Sequence, residues 1–289
     1  MKKTIIFLWI IVVGFTQSCT QNKTFTLWQL PSQVNTIGNS YVIQTSGGKM
    51  IVMDGGVKEE TSYLRGFLAA LGNEVEAWFV THPHPDHIEA LTEILKQPNG
   101  LNIKRIYHSR FSPSYLDTEP FYAETAYRFY EQLDASEIAT TDIRQPGEII
   151  EIDGVSLKIL TVTNETISTN TYNNSSIAMK VWDTSKSILF LADLGLEAGD
   201  LLLNSEFRKN LDCDYLQMAH HGQKGVSKDF YRTISFRACL WPTPSWVYNN
   251  DIGNGYNTHD LETVEIRELM KELGIKEHYV SCEGLWKIQ

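Results

Sequence analysis

Residues 80–91 read VTHPHPDHIEAL, from Val80 to Leu91. Three of the chain's eight histidines (His82, His84, His87) and Asp86 fall within six positions, with Pro83 and Pro85 threaded between them. The stretch begins at the end of EAWFVT (76–81), an apolar run with the composition of a buried strand, and helical spacing resumes from Asp86 to Leu95. At such a strand end His82 and His84 can turn to one side of a loop while Asp86 and His87 swing to the other at the helix start. The prolines fix φ in the loop and lower the entropic cost of holding the side chains. Zinc favours imidazole nitrogen with carboxylate oxygen, and three or four such ligands leave a position for water. The stretch therefore reads as a metal site rather than a histidine-rich turn.

The order His-x-His-x-Asp-His after an apolar strand resembles the signature of the metallo-β-lactamase superfamily. The resemblance implies an α/β fold built as an αββα four-layer sandwich, and two divalent metal ions, zinc first, with manganese or iron as alternatives. It also implies partners elsewhere in the chain. Asp54 in IVMDGG (51–56) would support the site without binding metal; by itself that dipeptide is also a plain Asp-Gly turn. Asp193, ending the strand SILFLAD (187–193), would be the carboxylate shared by both ions. DYLQMAHHGQKG (214–225) supplies His220 and His221. His220, which follows the strand directly, is expected on the metal held by Asp86 and His87. His221 would then stand behind it or contact substrate, although spacing alone leaves their order open.

One expected residue is missing. Many members carry a further histidine between the first motif and the shared aspartate, but between positions 88 and 192 there is only His108, in a strand too early for that role. The matching region is TYNNSSIAMKV (171–181), where Asn174 and Ser175 are expected to support the site. An asparagine-rich stretch, then the aspartate, then His-His-Gly, resembles the ComEC competence-protein hydrolase domain and the phosphorylcholine esterases of the same fold. Gln223 departs from that branch, which has serine after His-His-Gly. The branch also has a late histidine, here His259 in YNTHDLE (256–262), a second catalytic candidate beside Asp86 or else a polar residue at a helix start.

Two cations lying close together need a shared anionic ligand, and they lower the pKa of a bound water so that hydroxide is available near neutrality. The resemblance thus implies a hydrolase, with a phosphodiester as the leading substrate and Asp86 orienting the hydroxide. A lactonase or other carbonyl-ester hydrolase is the second reading. A surface lipoprotein that binds a ligand without turnover is the third. Lys224, Lys228, Arg105 and Arg110 could hold a phosphate or could be ordinary solvated cations. Trp241 and Trp246, with Tyr248, lie in LWPTPSWVYNN (240–250), where they could line a pocket rim or belong to the core.

The ends and the composition bound the remaining possibilities. Residues 1–18, MKKTIIFLWIIVVGFTQS, combine Lys2 and Lys3 with a short apolar run, as in an export signal. With Cys19 next, the stretch resembles a bacterial lipoprotein signal that would leave Cys19 as a lipid anchor on the membrane or cell surface; the alternative is an ordinary secretory signal beside a chance cysteine. Residues 19–34 are expected to form a tether and first strand, and 35–289 one hydrolase domain, because no linker or repeat divides them. Cys213, Cys239 and Cys282 form no CxxC pair and offer no disulfide framework. Net charge is −10, or −12 without the two signal lysines, which disfavours nucleic acid and leaves a small-molecule or cell-surface substrate.

Overall fold

The computed structural model describes residues 24–289; the expected export signal and lipid anchor at Cys19 lie outside the described residues. Seven strands open the first sheet: β1 (Thr26–Gln29), β2 (Tyr41–Gln44), β3 (Met50–Met53), β4 (Glu74–Phe79), β5 (Asn102–Ile103), β6 (Arg105–His108) and β7 (Ala139–Asp142). The second sheet follows with β8 (Ile149–Ile152), β9 (Val155–Ile159), β10 (Met179–Trp182), β11 (Ser187–Phe190), β12 (Tyr215–Gln217), β13 (Ala238–Trp241) and β14 (Glu277–Val280). The last strand, β15 (Trp286–Ile288), returns to the first sheet and pairs with β1. The resulting orders are β15-β1-β2-β3-β4-β6-β7, with β5 beside β4, and β14-β13-β12-β11-β10-β9-β8.

Alternation along the strands decides how these sheets stack, because successive side chains point to opposite faces. In β1 to β4, Leu27, Ile43, Ile51 and Ala77 face the second sheet and meet Leu157, Met179, Ile188 and Leu240. Their neighbours Trp28, Val42, Val52 and Trp78 face outward, under the helices Thr61–Ala70, Pro85–Lys96 and Pro120–Ala135. On the far side, Leu189, Leu216 and Cys239 pack beneath the helices Leu196–Leu203, Lys228–Thr233 and Thr263–Glu272. Three apolar layers between four structural layers make the αββα sandwich, as expected from the sequence. Residues 24–34 are part of it, since β1 is an inner strand of the first sheet. Among the described residues no helix is long and apolar enough to cross a membrane.

The strand directions place the site. β3, β4 and β6 run parallel, and so do β11, β12 and β13. Their carboxyl ends form one rim of the sandwich, and the loops leaving that rim carry Asp54, His82 to His87, Asp193, His220 and His221. The Ile177 amide joins the two halves there by donating to the Thr81 carbonyl at 2.9 Å.

Candidate metal centre

The first motif leaves β4 as extended chain and enters the helix Pro85–Lys96 with Pro85 at its first position, where a missing N–H costs nothing. Two backbone bonds fix its path: the Gly55 amide donates to the His87 carbonyl at 2.9 Å and the Asn39 amide to the Asp86 carbonyl at 3.2 Å. Two donor groups result, each with its ligand atoms within 4.8 Å of one another. One comprises Asp86, His87, Asp193 and His221; the other comprises His82, His84 and Asp193. Asp193 belongs to both.

Each ring in these groups is tied by one nitrogen and leaves the other facing its fellows. His87 Nδ1 is 2.7 Å from Asp54 Oδ2, and His221 Nδ1 is 2.7 Å from the Pro242 carbonyl oxygen. His84 Nε2 is 3.0 Å from Glu119 Oε2, while His82 Nδ1 lies 3.1 Å from Thr81 Oγ1 and 3.3 Å from Ser176 Oγ. On the facing side, His87 Nε2 and His221 Nε2 each lie 3.2 Å from Asp193 Oδ2, and His221 Nε2 lies 2.9 Å from Asp86 Oδ2. His82 Nε2 and His84 Nδ1 are 3.0 Å apart. Rings fixed by an outer hydrogen bond, with the inner nitrogen left over, are how proteins orient metal-binding histidines.

Three buried atoms test the fit to metal: His87 Nε2, His221 Nε2 and Asp193 Oδ1 have no aligned hydrogen-bond partner. Such orphans are costly unless something unrepresented among protein atoms satisfies them. Charge points the same way. Burial raises the Asp86 and Asp193 carboxyls, yet the neighbouring His87 and His221 rings hold both well below the usual carboxylate range. Burial likewise opposes charge on His87 and His221, but Asp193 and Asp86 push His87 well up and His221 to about 10. His82, desolvated beside His87 and His84, is pushed well below its ordinary value and so keeps a free lone pair. The buried carboxylates thus draw positive charge onto the facing His87 and His221 rings, a balance that divalent cations would supply in place of those protons.

Several sequence expectations are relocated by this geometry. His221, not His220, meets Asp86 and His87. Both residues have left-handed backbone (φ 51° and 60°), and only His221 turns its Nε2 directly onto that pair. His220 Nδ1 contacts the Lys224 carbonyl at 2.9 Å, and its Nε2 lies 3.3 Å from Asn173 Nδ2 and 4.0 Å from Asp193 Oδ2. In the asparagine-rich stretch, Asn173 and Ser176 approach the histidines, whereas Asn174 is spent on Glu197 and the Thr169 carbonyl, and Ser175 on Tyr115. Trp241 is a core side chain: it is fully buried, and a Cβ on Gly222 would lie only 2.4 Å from its ring. Trp246 does line the cavity over the site.

His259 sits behind Trp246, ring centroids 6.3 Å apart, with its Nε2 3.3 Å from Asp260, and it joins neither donor group. Lys224 pairs with Asp260 at 3.1 Å, Arg110 with Asp134 at 2.6 Å, and Arg105 donates to Thr141 at 2.9 Å. Those cations serve surface contacts. The cavity is about 500 Å³, walled by Phe121, Tyr122 and Trp246 over Asp86, Asn173 and Asp193, and among the described residues no lysine or arginine lines it.

Two positioning groups escape a sequence reading. Glu119 precedes Pro120 and looks like an ordinary helix-start acid, yet it binds His84, the Thr171 hydroxyl and the Tyr172 amide. Gln217, a polar residue inside the apolar run DYLQMA, accepts from the Leu191 and Ala192 amides and donates to the Ala192 and Met218 carbonyls. It thereby clamps Ala192 in left-handed conformation (φ 49°) just before Asp193. A buried glutamine must find partners for every polar atom, and that requirement was the available signal.

The sandwich and its paired donor groups agree with the sequence match: residues 35–234 fit the metallo-beta-lactamase superfamily, and the chain belongs to it. Members bind two metal ions and are typically hydrolytic. Among solved structures it is similar to the metallo-beta-lactamase fold protein YhfI from Bacillus subtilis (TM-score 0.56, 14% identity, 91% of this chain and 99% of that one). It is also similar to CmlA, a diiron beta-hydroxylase from Streptomyces venezuelae (TM-score 0.53, 10% identity, 92% of this chain and 54% of that one). No curated protein matches it.

Proposed function

We propose that the protein is an exported, metal-dependent hydrolase that splits a phosphodiester in a small or cell-surface molecule. The observation that carries this reading is the pair of donor groups sharing Asp193 at the floor of a cavity with aromatic walls. Divalent cations held there would supply a water of lowered pKa and a Lewis acid for a substrate oxygen. The nitrogen-rich donor set favours zinc, with manganese or iron as alternatives.

The chain's own residues do the rest. Asp86, whose side chain is 20% exposed, reaches the cavity and orients the attacking water. Gln223 offers an amide donor to a substrate oxygen, and Trp246 with Tyr122 stacks against the group beyond it. A cavity without lysine or arginine suits a compact substrate better than a polynucleotide, in keeping with the net charge of −10. The same absence favours, as a second reading, an uncharged lactone or carbonyl ester. The missing middle histidine and the His-His-Gly order support placement near the ComEC-like branch, and residues 1–19 support export and anchoring through Cys19.

Turnover of bis-p-nitrophenyl phosphate and of a simple lactone by zinc-loaded protein tests the reaction. Phosphodiester cleavage lost in Asp86→Asn is expected; lactone cleavage alone would replace the first reading by the second. Equal detergent partitioning of wild type and Cys19→Ser would contradict the anchor.

A further inference from the structure

His220 has the features of a ligand without a place in either donor group. Its Nδ1 is held at 2.9 Å by the Lys224 carbonyl, as His221 Nδ1 is by that of Pro242. A proton donated to that carbonyl leaves Nε2 unprotonated, its lone pair accepting only from the Asn173 amide at 3.3 Å. That nitrogen points toward Asp193, 4.0 Å from Oδ2, a distance close to the 3.9 Å from His82 Nε2 to the same oxygen. The backbone is arranged for this. His220 and His221 are consecutive non-glycine residues in left-handed conformation, each at a cost of about 1–2 kcal/mol. The His220 amide is pinned to the Ala192 carbonyl at 2.9 Å, next to Asp193. Strain of this kind persists where the surroundings enforce it for a purpose.

The two donor groups are also unequal. The group around His87 offers four residues, whereas that of His82 and His84 offers only Asp193 besides. The segment that would carry a further ligand presents Asn173 instead, and its side chain lies 3.3 Å from His220 Nε2. We propose that His220 supplies the third nitrogen to the cation held by His82, His84 and Asp193, so that the adjacent His220 and His221 divide between the two ions. Asn173 holds the ring at the edge of the site until the ion draws it in. This inference rests on the metal-binding reading above.

Histidine-selective NMR of the stripped full-length protein during zinc titration tests it without using activity. The expected result is a metal-bound shift of the Nε2 resonances of both His220 and His221 in wild type. In His84→Ala, the shift of His220 is lost and that of His221 remains. In His220→Ala, one zinc equivalent stays tight and the other weakens at least about tenfold, the lower end of what even an outer-partner mutation costs. If His220 stays unshifted while His82 and His221 respond, the inference is overturned and the two-ion reading survives. If no zinc is taken up at all, the reading beneath it fails. Should His220→Ala not fold, the wild-type and His84→Ala spectra still decide.

Discussion

Glu119 Oε2 lies 3.0 Å from His84 Nε2, while the other oxygen of the same carboxylate accepts from the Thr171 hydroxyl and the Tyr172 amide, each at 2.9 Å. The carboxylate is fixed before it meets the ring, and the ring is packed between Tyr122 and Tyr172. His84 is therefore held with Nδ1 toward His82 Nε2. Outer carboxylates of this type set the tautomer and raise the basicity of a metal-binding histidine. Glu119→Ala is expected to weaken one of two zinc equivalents by about 10–100-fold in a chelator competition. Glu119→Gln, which keeps a polar partner but no charge, should fall between; unchanged affinity in both variants would show the contact to be incidental.

The two tryptophans of LWPTPSWVYNN separate cleanly. Trp241 is buried against Gly222, and its Nε1 donates to His278 Nδ1 at 3.1 Å. Trp241→Ala should cost about 3–5 kcal/mol, as for other buried aromatics, and lower the melting temperature. Trp246→Ala should leave the melt within a few degrees of wild type and raise KM, because this ring walls the cavity. The reverse assignment would follow if Trp241→Ala melted normally.

Glu60 links stability to pH. Burial lifts its carboxyl to about 7, against a Gln33 amide that donates at 3.1 Å and pulls the other way. Between its unfolded value near 4.5 and about 7, the folded chain binds the extra proton. This contribution to stability is therefore present at low pH and lost as pH rises through that window, by on the order of a few kcal/mol. Glu60→Gln should remove the loss, so that melts of the variant pull ahead of wild type between about pH 5 and about pH 8. A constant gap across that range would contradict the shift.

Patterns set by backbone period were legible in the sequence, and choices set by tertiary contact were not. Short apolar runs such as MIVM, buried at every position, announced the strands, and His82 to His87 announced the donors because prolines and a strand end leave that segment few conformations. β7, reading ATTD, lacks an apolar stripe, and β15, reading WKI, is only three residues long; their pairing with β6 and β1 supplies what composition and length do not. His220 and His221 share every local property, and the choice between them is made by two left-handed residues that only Gly222 hinted at. Glu119 acts on a histidine 35 positions away, a relation no local spacing encodes. Trp241 was ambiguous because a buried aromatic and a pocket wall look alike until the facing glycine is seen.

The shared carboxylate is the centre of the account, since Asp193 is the residue common to both donor groups. Metal content of wild type and Asp193→Ala after zinc loading and desalting, measured on samples with matching circular dichroism, tests it directly. About two zinc ions per wild-type chain are expected, with loss of tight binding at both positions in the variant. Zinc retained at wild-type stoichiometry by folded Asp193→Ala would contradict it.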